Sequence, residues 1–261
     1  MNEVVTVLSF AVLAMLVVTA ARIGTISLFV LSATYIFLSN ITIGMPIRVF
    51  GVEFPWAIIV YSLVYFIVNL TCEFHGEGAA YRLAATNVCV QVILWGYVWA
   101  SLIITPASSG IHSYNAMNQL FGTTKQISVA ALLASVGPFL GIFIYSWLRR
   151  RWEALAVKYE NSSGPAARIF KHRMLAIVIR NKVSTFAGQI VNTIVFFTVA
   201  SFNSHTETSL IISVIVSSCI VKMIVAIADV PFLILAANLL TFKTASKSSS
   251  DVALSSASDS G

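Results

Sequence analysis

Charge is scarce in this chain. Sixteen Lys and Arg and ten Asp and Glu among 261 residues make 10% charged, where soluble domains carry roughly 25%. A soluble fold of this length has too little polar surface to cover its apolar residues. Cysteine is rarer still. Cys72, Cys89 and Cys219 show neither CxxC spacing nor a histidine partner, which excludes a disulfide framework and a zinc site and leaves small core residues. Also missing are a nucleotide-binding glycine motif, HExxH and a nucleophile elbow, so no cofactor, metal or enzymatic activity is expected. The basic residues are not interleaved with aromatics on one face, so the +6 formal charge does not point to nucleic acid. No GxxxG spacing stands out as a dimer face, which leaves a homo-oligomer open.

What the chain does have is apolar length. Hydrophobic residues make up 58% of it and the mean hydropathy is +0.88. At roughly 20 residues per crossing there is room for six to eight membrane helices and little else. Charge-poor runs mark seven: Val4 to Ala21, Ile23 to Ile47, Pro55 to Leu70, Leu83 to Ile104, Ile127 to Leu148, Val183 to Phe202 and Leu210 to Phe242. None alternates as a barrel strand would. The fold class is therefore all-α: a polytopic membrane protein, a bundle of about seven transmembrane helices with a six-helix core.

Seven alternating helices with the N-terminus outside put Arg22, Arg82, the cluster Arg149-Arg150-Arg151 and the basic residues from Lys158 to Lys182 inside. Only Arg48 and Lys125 then fall outside, the asymmetry that insertion favours. The expected setting is a multi-pass inner-membrane protein with a cytoplasmic C-terminus. The first run has no positive leading segment, only Glu3, and reads as a retained helix rather than a signal peptide. The organisation is a membrane domain over residues 1–242, with a basic cytoplasmic loop at 149–182 broken at Asn161-Ser162-Ser163-Gly164-Pro165. A Ser-rich disordered tail follows at 243–261.

Three polar clusters interrupt the apolar runs. Asn69-Leu70-Thr71-Cys72-Glu73-Phe74-His75-Gly76 closes the third span. In the sixth, Gln189 and Asn192 lie three residues apart and share a helix face, with Phe196-Phe197 beyond them. The last run carries Lys222 and Asp229-Val230-Pro231-Phe232. Charges in hydrocarbon are expensive and mark partners, cavities or substrates. Two helical turns place Lys222 and Asp229 about 10 Å apart, too far for a salt bridge along one helix. Each must be reached from elsewhere, by Gln189, Asn192, Asn69, water or a substrate. Asn40 reads as interhelical glue, and Trp95, Trp99, Trp147 and Trp152 as interface belts.

These clusters, in this order, resemble the queuosine precursor transporter family, also called the vitamin-uptake-like transporter family, over nearly the whole chain to about residue 242. Asn69, Glu73, His75 and Gly76 fall on its Asp-x-x-x-Glu-x-Tyr-Gly pattern. Gln189 and Asn192 fall in its polar sixth-helix motif, and Lys222 with Asp229-Val230-Pro231-Phe232 on its Lys and Asp-Thr-Pro-Phe pattern. The chain departs from the family where Asn69 and Asn192 replace carboxylates, and where Pro138 and Gly141 stand in place of Gln and Asp. Amides hydrogen-bond a heterocycle but neither accept a proton nor balance a cation.

The resemblance implies import of 7-deazaguanine precursors, the 7-cyano or 7-aminomethyl base, with Asn69, Glu73, His75, Gln189, Asn192, Lys222 and Asp229 as substrate-binding candidates. Phe196, Phe197, Trp56 or Phe232 would cover the ring. The partners implied are this deazapurine, the lipid bilayer and an energising module. The alternatives are a substrate-binding subunit of an ATP-driven vitamin uptake system and a non-transport membrane receptor or assembly protein.

Overall fold

The computed structural model describes residues 2–104, 108–112, 114–115, 125–158, 173–202 and 207–240. The proposed loop break at Asn161 to Pro165 and the tail from 243 lie outside the described residues. Among the described residues, seven helical stretches are long and apolar enough to cross a membrane, as the charge-poor runs require. In chain order the helices are α1 (Asn2–Ile23), α2 (Thr25–Thr42), α3 (Ala57–His75), α4 (Glu77–Ile103), α5 (Lys125–Ala134), α6 (Val136–Lys158), α7 (Arg173–Ala200) and α8 (Thr208–Ala228). Residues 230–240 form α9, which continues α8 beyond a turn at Asp229.

Helix α3 is apolar on all sides, and almost every side chain from Ala57 to Cys72 is buried, the pattern of a central helix. The main core gathers α1, α2, α4, α6 and α9 around it through residues such as Val17, Leu28, Leu63, Phe66, Ile67, Leu83, Tyr145 and Leu233. By contrast, α8 buries only Ser218, Val221, Lys222 and Ala226, so its apolar outer face is left for lipid. Two of its four buried side chains are polar, which already marks the inner face as more than packing. Gly76 joins α3 to α4 in a single residue at φ 87°, a left-handed conformation that side-chain-bearing residues adopt only with strain.

Two features depart from the apolar-run reading. The second crossing stops at Thr42, not Ile47, and the chain forms a β-hairpin, β1 (Pro46–Val49) and β2 (Val52–Pro55). Phe50 and Gly51, both at positive φ, make its two-residue turn. Arg48 faces Glu53 across the register and pairs with it at 2.8 Å. The strands are too short for alternation to show in the sequence. Val49 and Phe54 tuck against Ile58, Ile59 and Val221, so the hairpin sits over the start of α3 and against the middle of the α8–α9 crossing.

The second departure concerns the basic stretch at 149–182. Helix α6 runs to Lys158 and α7 begins at Arg173, so Arg180 and Lys182 are helical and inside the bundle rather than in a surface loop. Acidic partners on other helices make their burial affordable.

Two crossings are broken. Between α5 and α6 the chain turns at Ser135, three residues before Pro138. Proline has no N–H, so the carbonyl four residues back, on Ala134, loses its intrahelical donor. Asn192 of α7 supplies one, at 2.9 Å. At the other break, where the helix turns at Asp229, the Ala226 carbonyl accepts from Lys182 of α7. Within a bilayer such freed carbonyls are tolerated only when the protein satisfies them.

Close packing fixes α6 and α7 side by side. A Cβ on Gly137 would lie 2.6 Å from the Gly188 carbonyl and 2.5 Å from the Tyr65 hydroxyl, and one on Gly188 would lie 2.8 Å from Gly137 O. Gly137 and Gly141 do form a small-xxx-small spacing, and both face α7 of the same chain.

Candidate functional site

Where α2, α3, α4, α5, α7 and α8 meet below the hairpin, they line a small, partly open cavity. Its polar lining comes from Ser39 and Asn40 of α2, Tyr61 of α3, Gln91 of α4, Asn192 of α7 and Lys222 of α8. Phe196 and Phe197, one turn above Asn192, add two rings at 88° to one another with centroids 5.2 Å apart. Ile43, Pro55, Ala57 and Ile58 form the rim beneath the hairpin.

The polar groups are held in one arrangement. The Asn192 amide nitrogen donates to Ala134 O and to the Tyr61 hydroxyl, at 2.9 and 3.1 Å. Its oxygen therefore faces the other way and accepts from Lys222 Nζ at 2.9 Å. The Thr193 hydroxyl donates to the Gln189 carbonyl and accepts from Lys222 at 2.8 Å. The ammonium also lies 5.6 Å from the centre of the Tyr61 ring, within reach of a cation–π attraction. Gln91 donates to Ser135 at the α5–α6 break. Asn40 accepts from the Trp95 indole at 3.2 Å. The pocket thus lies against a broken helix, as binding sites in transporters built from discontinuous helices do.

A second polar layer lies toward the His75 end. Glu73 pairs with Arg180 at 3.1 Å and accepts from Tyr145 at 2.6 Å, linking α3, α6 and α7. Asn69 donates to Thr185 at 2.7 Å, and Asp229 pairs with Lys182. These groups are buried but engaged with one another, and none lines the cavity.

The family described as "Putative vitamin uptake transporter" matches residues 55–236, which include both breaks, the second layer and the cavity residues other than Ser39, Asn40 and Ile43. The chain belongs to this family. No curated protein and no solved structure matches it.

In this vitamin uptake transporter family member, two of the seven expected site residues, Asn192 and Lys222, meet in the cavity. Asn69, Glu73 and Asp229 belong to the second layer. His75 is exposed at the end of α3, with Nδ1 3.0 Å from the Thr25 hydroxyl. Gln189 is buried one turn from Asn192, outside the cavity lining, and neither end of its carboxamide has a hydrogen-bond partner among the described residues. The inference that Lys222 and Asp229 are each reached from another helix holds. Asn192 reaches the first, but the group that reaches the second is Lys182, hidden in the sequence within a run of basic residues.

Of the proposed ring covers, Phe196 and Phe197 line the cavity, while Trp56 packs beside the hairpin and Phe232 against Phe10. Trp95 is buried, not an interface residue, because its indole serves Asn40. Tyr61 and Gln91 were missed. Their only signal in the sequence was a polar group amid apolar neighbours in spans otherwise read as plain hydrocarbon.

Proposed function

We propose that this chain imports a queuosine precursor, the 7-cyano or 7-aminomethyl 7-deazaguanine, across the inner membrane, entering from the hairpin side with the N-terminus outside. The supporting observation is the make-up of the cavity. Amides from three helices and one ammonium line a small space beside a pair of phenylalanine rings. A deazaguanine offers a flat π face and an edge of alternating donors and acceptors. Asn192, Gln91 and Asn40 carry both kinds of group, Lys222 only donors. A desolvated site that pairs every polar edge rejects analogues lacking one.

On this reading Asn192 and Lys222 contact the base, with Phe196 and Phe197 beside its ring. Gln189 is the next amide along its path, Asn69, Glu73 and Asp229 act from the second layer, holding the helices around the path, and His75 acts at its exposed end. The test is the queuosine content of tRNA in a host that must take up precursor, at limiting external base. Expression of the chain restores queuosine, and Lys222→Ala abolishes the rescue while the protein still inserts at normal level. Absence of rescue by the well-expressed parent chain would remove the substrate assignment.

A further inference from the structure

Among the described residues, the cavity lining carries one positive charge and no negative one. Lys222 is buried, and its two acceptors, Asn192 Oδ1 and Thr193 Oγ1, are neutral. Among the described residues no carboxylate pairs with it. Asp229, on the same crossing, is paired with Lys182, and Glu73 is paired with Arg180. None of the side chains lining the cavity is acidic. Two hydrogen bonds leave the ammonium with a third proton, at the wall of the partly open cavity. Burial from water makes this charge felt across the whole cavity, because interactions between charges strengthen as the effective dielectric falls.

We propose that the cavity selects by charge: it accepts flat heterocycles that bring a neutral acceptor or an anionic group, and it discriminates against cationic ones. An incoming lactam oxygen, nitrile nitrogen or carboxylate receives the third proton of Lys222. An incoming ammonium meets a like charge with no carboxylate to offset either. The identity of residue 192 sets the preference, since an aspartate there would place an acid against Lys222 where this chain has an amide. This inference rests on the deazaguanine reading above and separates the two bases that reading leaves together. It favours the 7-cyano base over the 7-aminomethyl base, which is protonated at neutral pH.

The test uses the full-length protein in lipid nanodiscs and three ligands that differ in charge at one position. These are 7-carboxy-, 7-cyano- and 7-aminomethyl-7-deazaguanine, competed against radiolabelled 7-cyano base. The expected result is that the carboxy and cyano compounds bind at least tenfold more tightly than the aminomethyl compound. Lys222→Gln should level the series and Lys222→Arg should preserve it. Should either variant fail to fold, the series on the parent protein decides alone. Equal binding of all three, or preference for the amine, would overturn the charge selection and leave the transporter reading standing. Binding of none of the three would overturn the deazaguanine reading and this inference with it.

Discussion

The carboxamide of Asn192 ties three other helices to α7. Its nitrogen serves the carbonyl that Pro138 leaves without a donor and the Tyr61 hydroxyl, and its oxygen serves Lys222. A carboxylate at this position would neutralise Lys222 but donate nothing to Ala134. The amide is thus the side chain that both closes the break and leaves the ammonium charged.

Next to it, space rather than polarity is limiting. Gly188→Ala would drive a methyl into Gly137 O and the Tyr65 ring, each 2.8 Å away. It is expected to lower stability by about 1–3 kcal/mol, read as a fall in the thermal unfolding midpoint of the detergent-solubilised protein. Gly141→Ala meets only an ordinary 3.5 Å contact with Ser184 O and should be neutral or slightly stabilising in the same assay, because alanine favours the helix. Lys222 and Asn192 were legible from the sequence because a charge and an amide in hydrocarbon demand partners. Tyr61 and Gln91 were not, because neither lies in a cluster of polar residues along its span, and an isolated polar side chain says nothing about which neighbours it will face.

At the level of elements, α7 organises the bundle. It supplies Asn192 to the α5–α6 break, Lys182 to the α8–α9 break and Arg180 to Glu73 of α3. Glu73 and Arg180 are both nearly buried. Removing one partner strands the other's charge, for about 3–5 kcal/mol, whereas removing both leaves no such charge. Glu73→Ala and Arg180→Ala should each lower the unfolding midpoint strongly, and the double variant by clearly less than their sum. A double-mutant cycle on thermal stability checks this, and an additive result would deny the pairing. The spans themselves could be read from hydropathy, but the start of α7 could not. Basic residues preceding an apolar run look the same in sequence whether they face water or an acid on a neighbouring helix.

For the molecule as a whole, the proposed orientation puts the hairpin outside and Gly76, between α3 and α4, inside. In a cysteine-free background, a membrane-impermeant thiol reagent applied to intact cells should label Gly51→Cys, at the exposed hairpin tip. Gly78→Cys, exposed near the His75 end, should be labelled only after permeabilisation, and the reverse pattern would invert the topology. The same orientation makes the cavity, with its rim beneath the hairpin, accessible from outside, as an importer requires.

The sequence alone determined that this chain is a bundle of seven apolar crossings with costly polar groups inside, because hydrocarbon length and charge scarcity admit little else. It also carried the family, through short motifs whose residues lie within the matched region 55–236. Only the tertiary structure decided which polar groups share a space. Asn192 and Lys222 meet at the cavity while Glu73 and Asp229 are neutralised elsewhere, because each buried charge takes the partner that helix packing brings within reach, whatever the separation along the chain.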